Sequence, residues 1–135
     1  MISTYVAIGM GGAIGAISRY SLGKVFPTNI LTHFPLQIFL VNALGCFFMG
    51  MIVEYMALKW SPSFAIKSFI TTGFLGGFTT FSAFTLEFAL LIDKNLPLHA
   101  IIYAVSSVLV NIFCFFAGVY LVRFIFPSNL FTGNY

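Results

Sequence analysis

Charge is what this 135-residue chain has least of: three acidic and six basic residues make up 7% of it, against 60% hydrophobic residues. So few charges exclude a soluble globular domain, in which about a quarter of the residues are charged. Six scattered cations form no run or stripe of the kind that nucleic-acid binding needs. Carboxylates are missing from the middle of every apolar run, since Glu54, Glu87 and Asp93 lie toward run ends or in a connection. Proton-driven exchange thus lacks its usual intramembrane acid. The two cysteines, Cys46 and Cys114, fall inside apolar runs and read as small hydrophobes, not as a disulfide or metal ligands. The opening MISTYVAIGMGGAIG has no basic n-region, so a cleaved leader is not expected. Nothing points to an enzyme.

What is present is apolar length. Four runs, at approximately 3–26, 35–58, 64–92 and 98–126, each meet the ~20 residues that a spanning helix needs. The breaks PTNILTHF, KWSPS and DKNLP separate them, with the Pro, Asn, Asp and Ser that stop helices and start turns. The expected fold is an all-α membrane protein, a single transmembrane domain over 1–135 with four transmembrane helices per chain, multi-pass in the inner or cytoplasmic cell membrane. Orientation stays open: Arg19, Lys24 and Lys94 balance Lys59, Lys67 and Arg123 across the bilayer, and the positive-inside rule then favours neither direction. Insertion both ways up, with two opposed copies paired about an axis in the membrane plane, stands beside a merely noisy tally. So short a chain has little interior of its own for polar groups, which favours oligomerisation. The stretch GGAIGA contains GxxxG, ordinarily a helix-packing signal.

Polar groups inside hydrocarbon need a partner or a wet cavity. Asn42 lies within the second run, and interhelical hydrogen bonding accounts for it alone. Tyr103, Ser107 and Asn111 recur every four residues, on one helical face. Such a stripe favours a polar track over isolated glue, and its hydrogen-bond donors suit an anion. Arg19 either snorkels to the headgroups or lines an anion-attracting vestibule. The third run carries GFLGGFTTFSAF, where Gly73, Gly76 and Gly77 each cost about 1 kcal/mol in a helix. A break is predicted there, near the centre of the third helix, freeing carbonyls that suit a hard cation such as sodium. Phe81 and Phe84 share a face, usually a mark of core or lipid contact. Their neighbours Thr79, Thr80, Ser82 and Thr85 are hydroxylic, and the positive edge of a phenyl ring can stabilise a small anion.

Three strings, GGFTTFSAF from Gly76, NALGCF from Asn42 and GGAIGAISRY from Gly11, closely resemble the bacterial fluoride channel family (Fluc, or CrcB), over essentially the whole chain. The resemblance implies an antiparallel, dual-topology homodimer with two fluoride pores and a central structural Na+ that is not transported. By motif position, the backbone carbonyls of Gly76 and Thr79 would hold the sodium, Phe81 and Phe84 would turn ring edges to fluoride, and Asn42 would be the pore asparagine. Ser82, Tyr103 and Ser107 would fall on the polar track, with Glu87 and Arg19 at pore mouths. Ala83 departs from the family pattern, which usually has Thr, so it receives no ion contact. The implied activity is passive, fluoride-selective efflux that lowers cytoplasmic fluoride. The implied partners are fluoride, sodium, a second copy and the lipid bilayer, with no nucleic acid. The alternative is a four-span proton-coupled exporter of small cations, which should carry a mid-membrane glutamate in its first span; this first span has none.

Overall fold

A backbone in lipid must satisfy its own hydrogen bonds, and a helix does so within one segment. The computed structural model describes residues 2–26 and 33–127, and among these every regular element is helical. The order is α1 (Ile2–Val25), α2 (Leu36–Leu58), α3 (Phe64–Ser68), a π-helical stretch (Phe69–Leu75), α4 (Gly76–Phe78), α5 (Phe81–Asp93) and α6 (Pro97–Ile125). The four expected runs fall on α1, α2, the composite α3-to-α5 rod and α6, with ends shifted by no more than one residue. Most of the first expected break, PTNILTHF, lies outside the described residues.

Three of these helical rods are long and apolar enough to cross a membrane: Leu36–Leu58, Phe64–Asp93 and Pro97–Ile125. At 24 residues, α1 has the length for a crossing, but glycines, Arg19 and Lys24 dilute its apolar character. Local chemistry sets the ends. Ser63 caps α3 by accepting from the Ile66 amide, Asn95 adopts the left-handed conformation (φ 59°) just past α5, and Pro97 opens α6, where its missing N–H costs nothing. Leu91, Ala100 and Tyr103 are buried together, with Phe34, Phe39, Phe84, Phe88 and Leu96 packed around them.

The glycine motifs answer one another. A Cβ on Gly11 would overlap the carbonyl oxygen of Phe69, and one on Gly15 that of Phe74. In return, a Cβ on Gly73 would lie 2.8 Å from the Ile8 oxygen and one on Gly77 2.6 Å from the Gly12 oxygen. GGAIG and FLGGF are therefore two halves of one contact, in which α1 meets the third rod backbone to backbone. This corrects the expectation that the glycines themselves interrupt the helix. Residues 69–78 stay helical, wound wider over Phe69–Leu75, and the interruption falls just beyond them, at Thr79–Thr80.

A second close approach joins α2 to α6. Gly50 sits against Phe115, and Gly118 against Phe47 and Met51; because Glu54 and Arg123, near the C-terminal ends of both helices, are also paired, the two run parallel. Toward the end of that seam Arg123 Nε donates to Glu54 Oε1 at 2.8 Å. Filling the first seam should undock α1: Gly15→Val should cost about 1–3 kcal/mol or more through overpacking. Gly9, whose Cβ would meet nothing within 4 Å, is the control. Gly9→Ala should hold or raise the midpoint of thermal unfolding in detergent, while Gly15→Val lowers it.

Candidate functional site

The interruption of the third rod is two residues long. Thr79 (φ −83°, ψ 153°) and Thr80 (φ −152°, ψ 123°) are extended, and extended backbone at this depth must find partners elsewhere. Asn42, buried on α2, supplies them. Its Nδ2 donates to the Thr80 carbonyl at 3.1 Å and its Oδ1 accepts from the Thr80 amide at 2.8 Å. One side-chain amide thus replaces the peptide neighbours that the helix gave up. The new helix then starts cleanly, because Thr80 Oγ1 accepts from the Ala83 amide at 3.2 Å, an N-cap.

These substitutions have a consequence for the carbonyls. In an unbroken helix the Thr80 amide would bond to the oxygen of Gly76 and the Ala83 amide to that of Thr79. Both donors are diverted, one to Asn42 and one to the Thr80 hydroxyl. The oxygens of Gly76 and Thr79 lose their helical partners together. They are the two that the family resemblance assigns to sodium, and carbonyl oxygen is a suitable ligand for a hard cation. Gly76 is exposed, and a Cβ there would meet only the Thr71 oxygen, at 3.4 Å.

Beside the break lies a groove of about 360 Å³, lined by Asn42, Cys46, Gly76, Thr79, Thr80, Phe81, Phe84, Ser107, Val108 and Asn111. No charged side chain is among them. Three polar atoms on one face of α6, the Tyr103 hydroxyl, Ser107 Oγ and Asn111 Oδ1, are buried with no hydrogen-bond partner among the described residues. Each such group costs about 1–3 kcal/mol if it stays unpaired, so a stripe of them calls for a function. Phe84 lies against Tyr103 with ring centroids 5.2 Å apart and against Phe81 at 5.1 Å. Phe81 itself is 76% exposed, a bare ring at the groove's edge.

Of the hydroxyls expected around the rings, three are taken by local backbone. Thr79 and Thr85 donate to the Leu75 and Phe81 carbonyls, and Thr80 caps α5. Ser82 is exposed and bonds to Thr80 Oγ1 at 3.0 Å. Asn42, Gly76, Thr79, Phe81, Phe84 and Ser107 come together on the groove, and Tyr103 lies just behind it between Phe84 and Phe34. Glu87 and Arg19 do not meet there. Glu87 lines a second hollow of about 340 Å³ with His33, Gln37 and Lys94; Arg19 lines a third, of about 210 Å³, with Tyr20, Lys24 and Gln37. Gln37 and Ile38, in the first turn of α2, border both. Sequence reasoning left Asn111 without a role although its four-residue spacing marked it, and it passed over Cys46, one turn beyond Asn42 on the same face. Thr80 as the clamped residue carried no signal of its own.

One interrupted rod, two glycine seams and a stripe of buried polar groups define a multi-pass helical membrane protein. The family model described as "CrcB-like protein, Camphor Resistance (CrcB)" matches residues 6–119, and the chain belongs to that family. It is 40% identical over 119 residues to the fluoride-specific ion channel FluC 2 of Nitrobacter hamburgensis, covering 88% of this chain and 96% of that one. To the fluoride-specific ion channel FluC of Rhodopseudomonas palustris it is 39% identical over 120 residues, 89% and 97% of the two chains. To FluC 1 of Bacillus cereus it is 38% identical over 132 residues, 97% and 91%.

Asn42→Leu tests the clamp directly. It strips both partners from the Thr80 peptide, so stability should fall by about 1–3 kcal/mol. Amide exchange at Thr80 should speed up more than exchange in α6; equal protection in the variant would show that the break is held by something else.

Proposed function

We propose that the chain is a fluoride-selective ion channel that lets fluoride leave the cytoplasm passively, lowering its toxicity, and that it works as an antiparallel, dual-topology homodimer. The observation that carries this reading is the uncharged groove at a clamped helix break, with the buried hydroxyls of Tyr103 and Ser107 on α6 left without a partner among the described residues. Relatives named as fluoride-specific channels align with nearly all of it. Fluoride holds water strongly, and stripping an ion into a medium of low dielectric costs several kcal/mol even after relaxation. Hydrogen bonds to a charged group contribute about 1.5–3 kcal/mol each, so a few hydroxyls, an amide and ring edges offset that cost without a basic side chain in the groove that would trap the ion.

Each residue then has a physical task. Ser107 and Tyr103 replace water with O–H donors, and the edges of Phe81 and Phe84 add the positive rim of their quadrupoles. Asn42 holds the break open, and the first turn of α5 directs its amides and the positive end of its dipole toward the groove. The carbonyls of Gly76 and Thr79 from two copies would hold a structural Na+, which supplies fixed positive potential when bound. The exposed side of Gly76 leaves room for a second copy. Glu87 and Arg19 would act at the mouths. A proton-coupled cation exporter would need an acid inside α1, which contains none.

Liposomes containing only this protein test the reading. Fluoride should leave passively and chloride far more slowly; proton-coupled uptake of organic cations, or silence, would defeat it. Phe81→Ile should cut flux about tenfold or more, the effect of losing roughly 1.4 kcal/mol of stabilisation in the path, while the dimer persists. Ser107→Ala separates path from fold, because it removes a hydroxyl with no partner. Its stability should hold or rise while fluoride flux falls. Exchanging sodium for a large organic cation should weaken the dimer or its conduction, and indifference to the exchange would remove the central ion.

A further inference from the structure

The groove ends on sulfur. Cys46 lies one helical turn beyond Asn42 on the same face of α2 and lines the groove. Cys114 lies three residues beyond Asn111 on α6 and continues the stripe of Tyr103, Ser107 and Asn111. Both thiols are free and half-buried.

The parallel seam sets their relative height. Gly50 abuts Phe115 and lies near Val119, while Gly118 abuts Phe47 and Met51. The ion pair between Glu54 and Arg123, 69 residues apart, keeps the same register. Carried back one turn along both helices, that register sets Cys46 level with Cys114. Each is four residues before a seam glycine, Gly50 or Gly118, so both sit on the faces that α2 and α6 turn toward each other. The same groove holds Ser107, 3% exposed, with its hydroxyl unpartnered among the described residues, so the cavity offers a bound species a free polar group beside the sulfur.

The geometry points to a site for one soft, monovalent, d10 cation, of the silver or copper(I) class, ligated by the sulfurs of Cys46 and Cys114. Thiolate sulfur selects such ions over hard ones, and with no carboxylate on the groove a hard ion finds its ligands in the carbonyl oxygens beside the break and not in the sulfurs. As each S–metal bond forms an S–H bond breaks, and the proton leaves to bulk water. No electron is transferred. Cys46 lines the groove and Cys114 lies level with it across the seam, so an ion held between them sits at the groove's edge one turn past Asn42 and narrows the path, which makes the channel sensitive to thiophilic metals. The flux effect rests on the channel reading; the binding site does not.

The experiment therefore has two arms, both on the full chain. In native mass spectrometry, wild-type protein treated with silver nitrate should retain one silver ion per chain, and the Cys46→Ala/Cys114→Ala double variant none. In chloride-free liposomes, micromolar silver should slow fluoride efflux about tenfold or more, and excess dithiothreitol should restore it. The double variant should keep most of its own silver-free rate. A second double variant, with serine at both positions, preserves volume if the alanine form folds poorly. Equal silver retention by wild type and variant, or retention by neither, overturns the site. Silver retained with undiminished flux overturns the plug, and absence of fluoride flux before silver is added overturns the channel reading while the mass arm still decides the site.

Discussion

A single side-chain amide, that of Asn42, stands in for part of a helix. Two hydrogen bonds to the Thr80 peptide make an extended dipeptide tolerable at membrane depth, where unpaired backbone is otherwise too costly to persist. The polar character of the break follows from that clamp. It diverts the amide that would have closed the helix on Gly76, and it lets Thr80 turn its hydroxyl to the Ala83 amide. It also ends one helix and begins another at a single point. Carbonyl oxygens are thereby collected on one side of the break and the positive end of α5 on the other. One structural device thus frees carbonyl oxygens and caps a new helix within a few residues.

The clamp needs a rigid frame, and the glycines provide it. Because Gly11, Gly15, Gly73 and Gly77 bring α1 and the third rod into backbone contact, the segment before the break is braced although its winding is wider than an α-helix. Glycine lowers intrinsic helix stability, yet here close packing outweighs propensity, and the rod stays helical through all three of its glycines. On the far side α5 is held by Phe84 and Phe88 against the Tyr103 cluster. The break is thus a fixed joint between two anchored segments, which suits a path that must keep its donors in place.

The unpaired stripe on α6 is the cost of that arrangement. A chain selected only for stability would replace Ser107 or the Tyr103 hydroxyl with apolar atoms, since neither bonds to anything among the described residues. Their retention beside an uncharged groove agrees with membership in a family whose named relatives conduct fluoride.

Helix positions were legible from the chain because lipid imposes a simple rule: about 20 apolar residues, then a polar stop, and the ends agree to a residue. The α6 stripe was legible too, since a four-residue spacing has one meaning on a helix, and the motif GGFTTFSAF carried the family. Composition did not reveal where the third rod parts. Local propensity pointed to the glycines, whereas the decision fell to Asn42, 38 residues away, at Thr79–Thr80. Nor did it show that GGAIG packs against its own chain, or that Glu87 and Arg19 open on separate hollows. Periodicity and hydropathy act along the chain and can be read from it; which amide finds which peptide depends on helices meeting in space, and only the tertiary structure determines that.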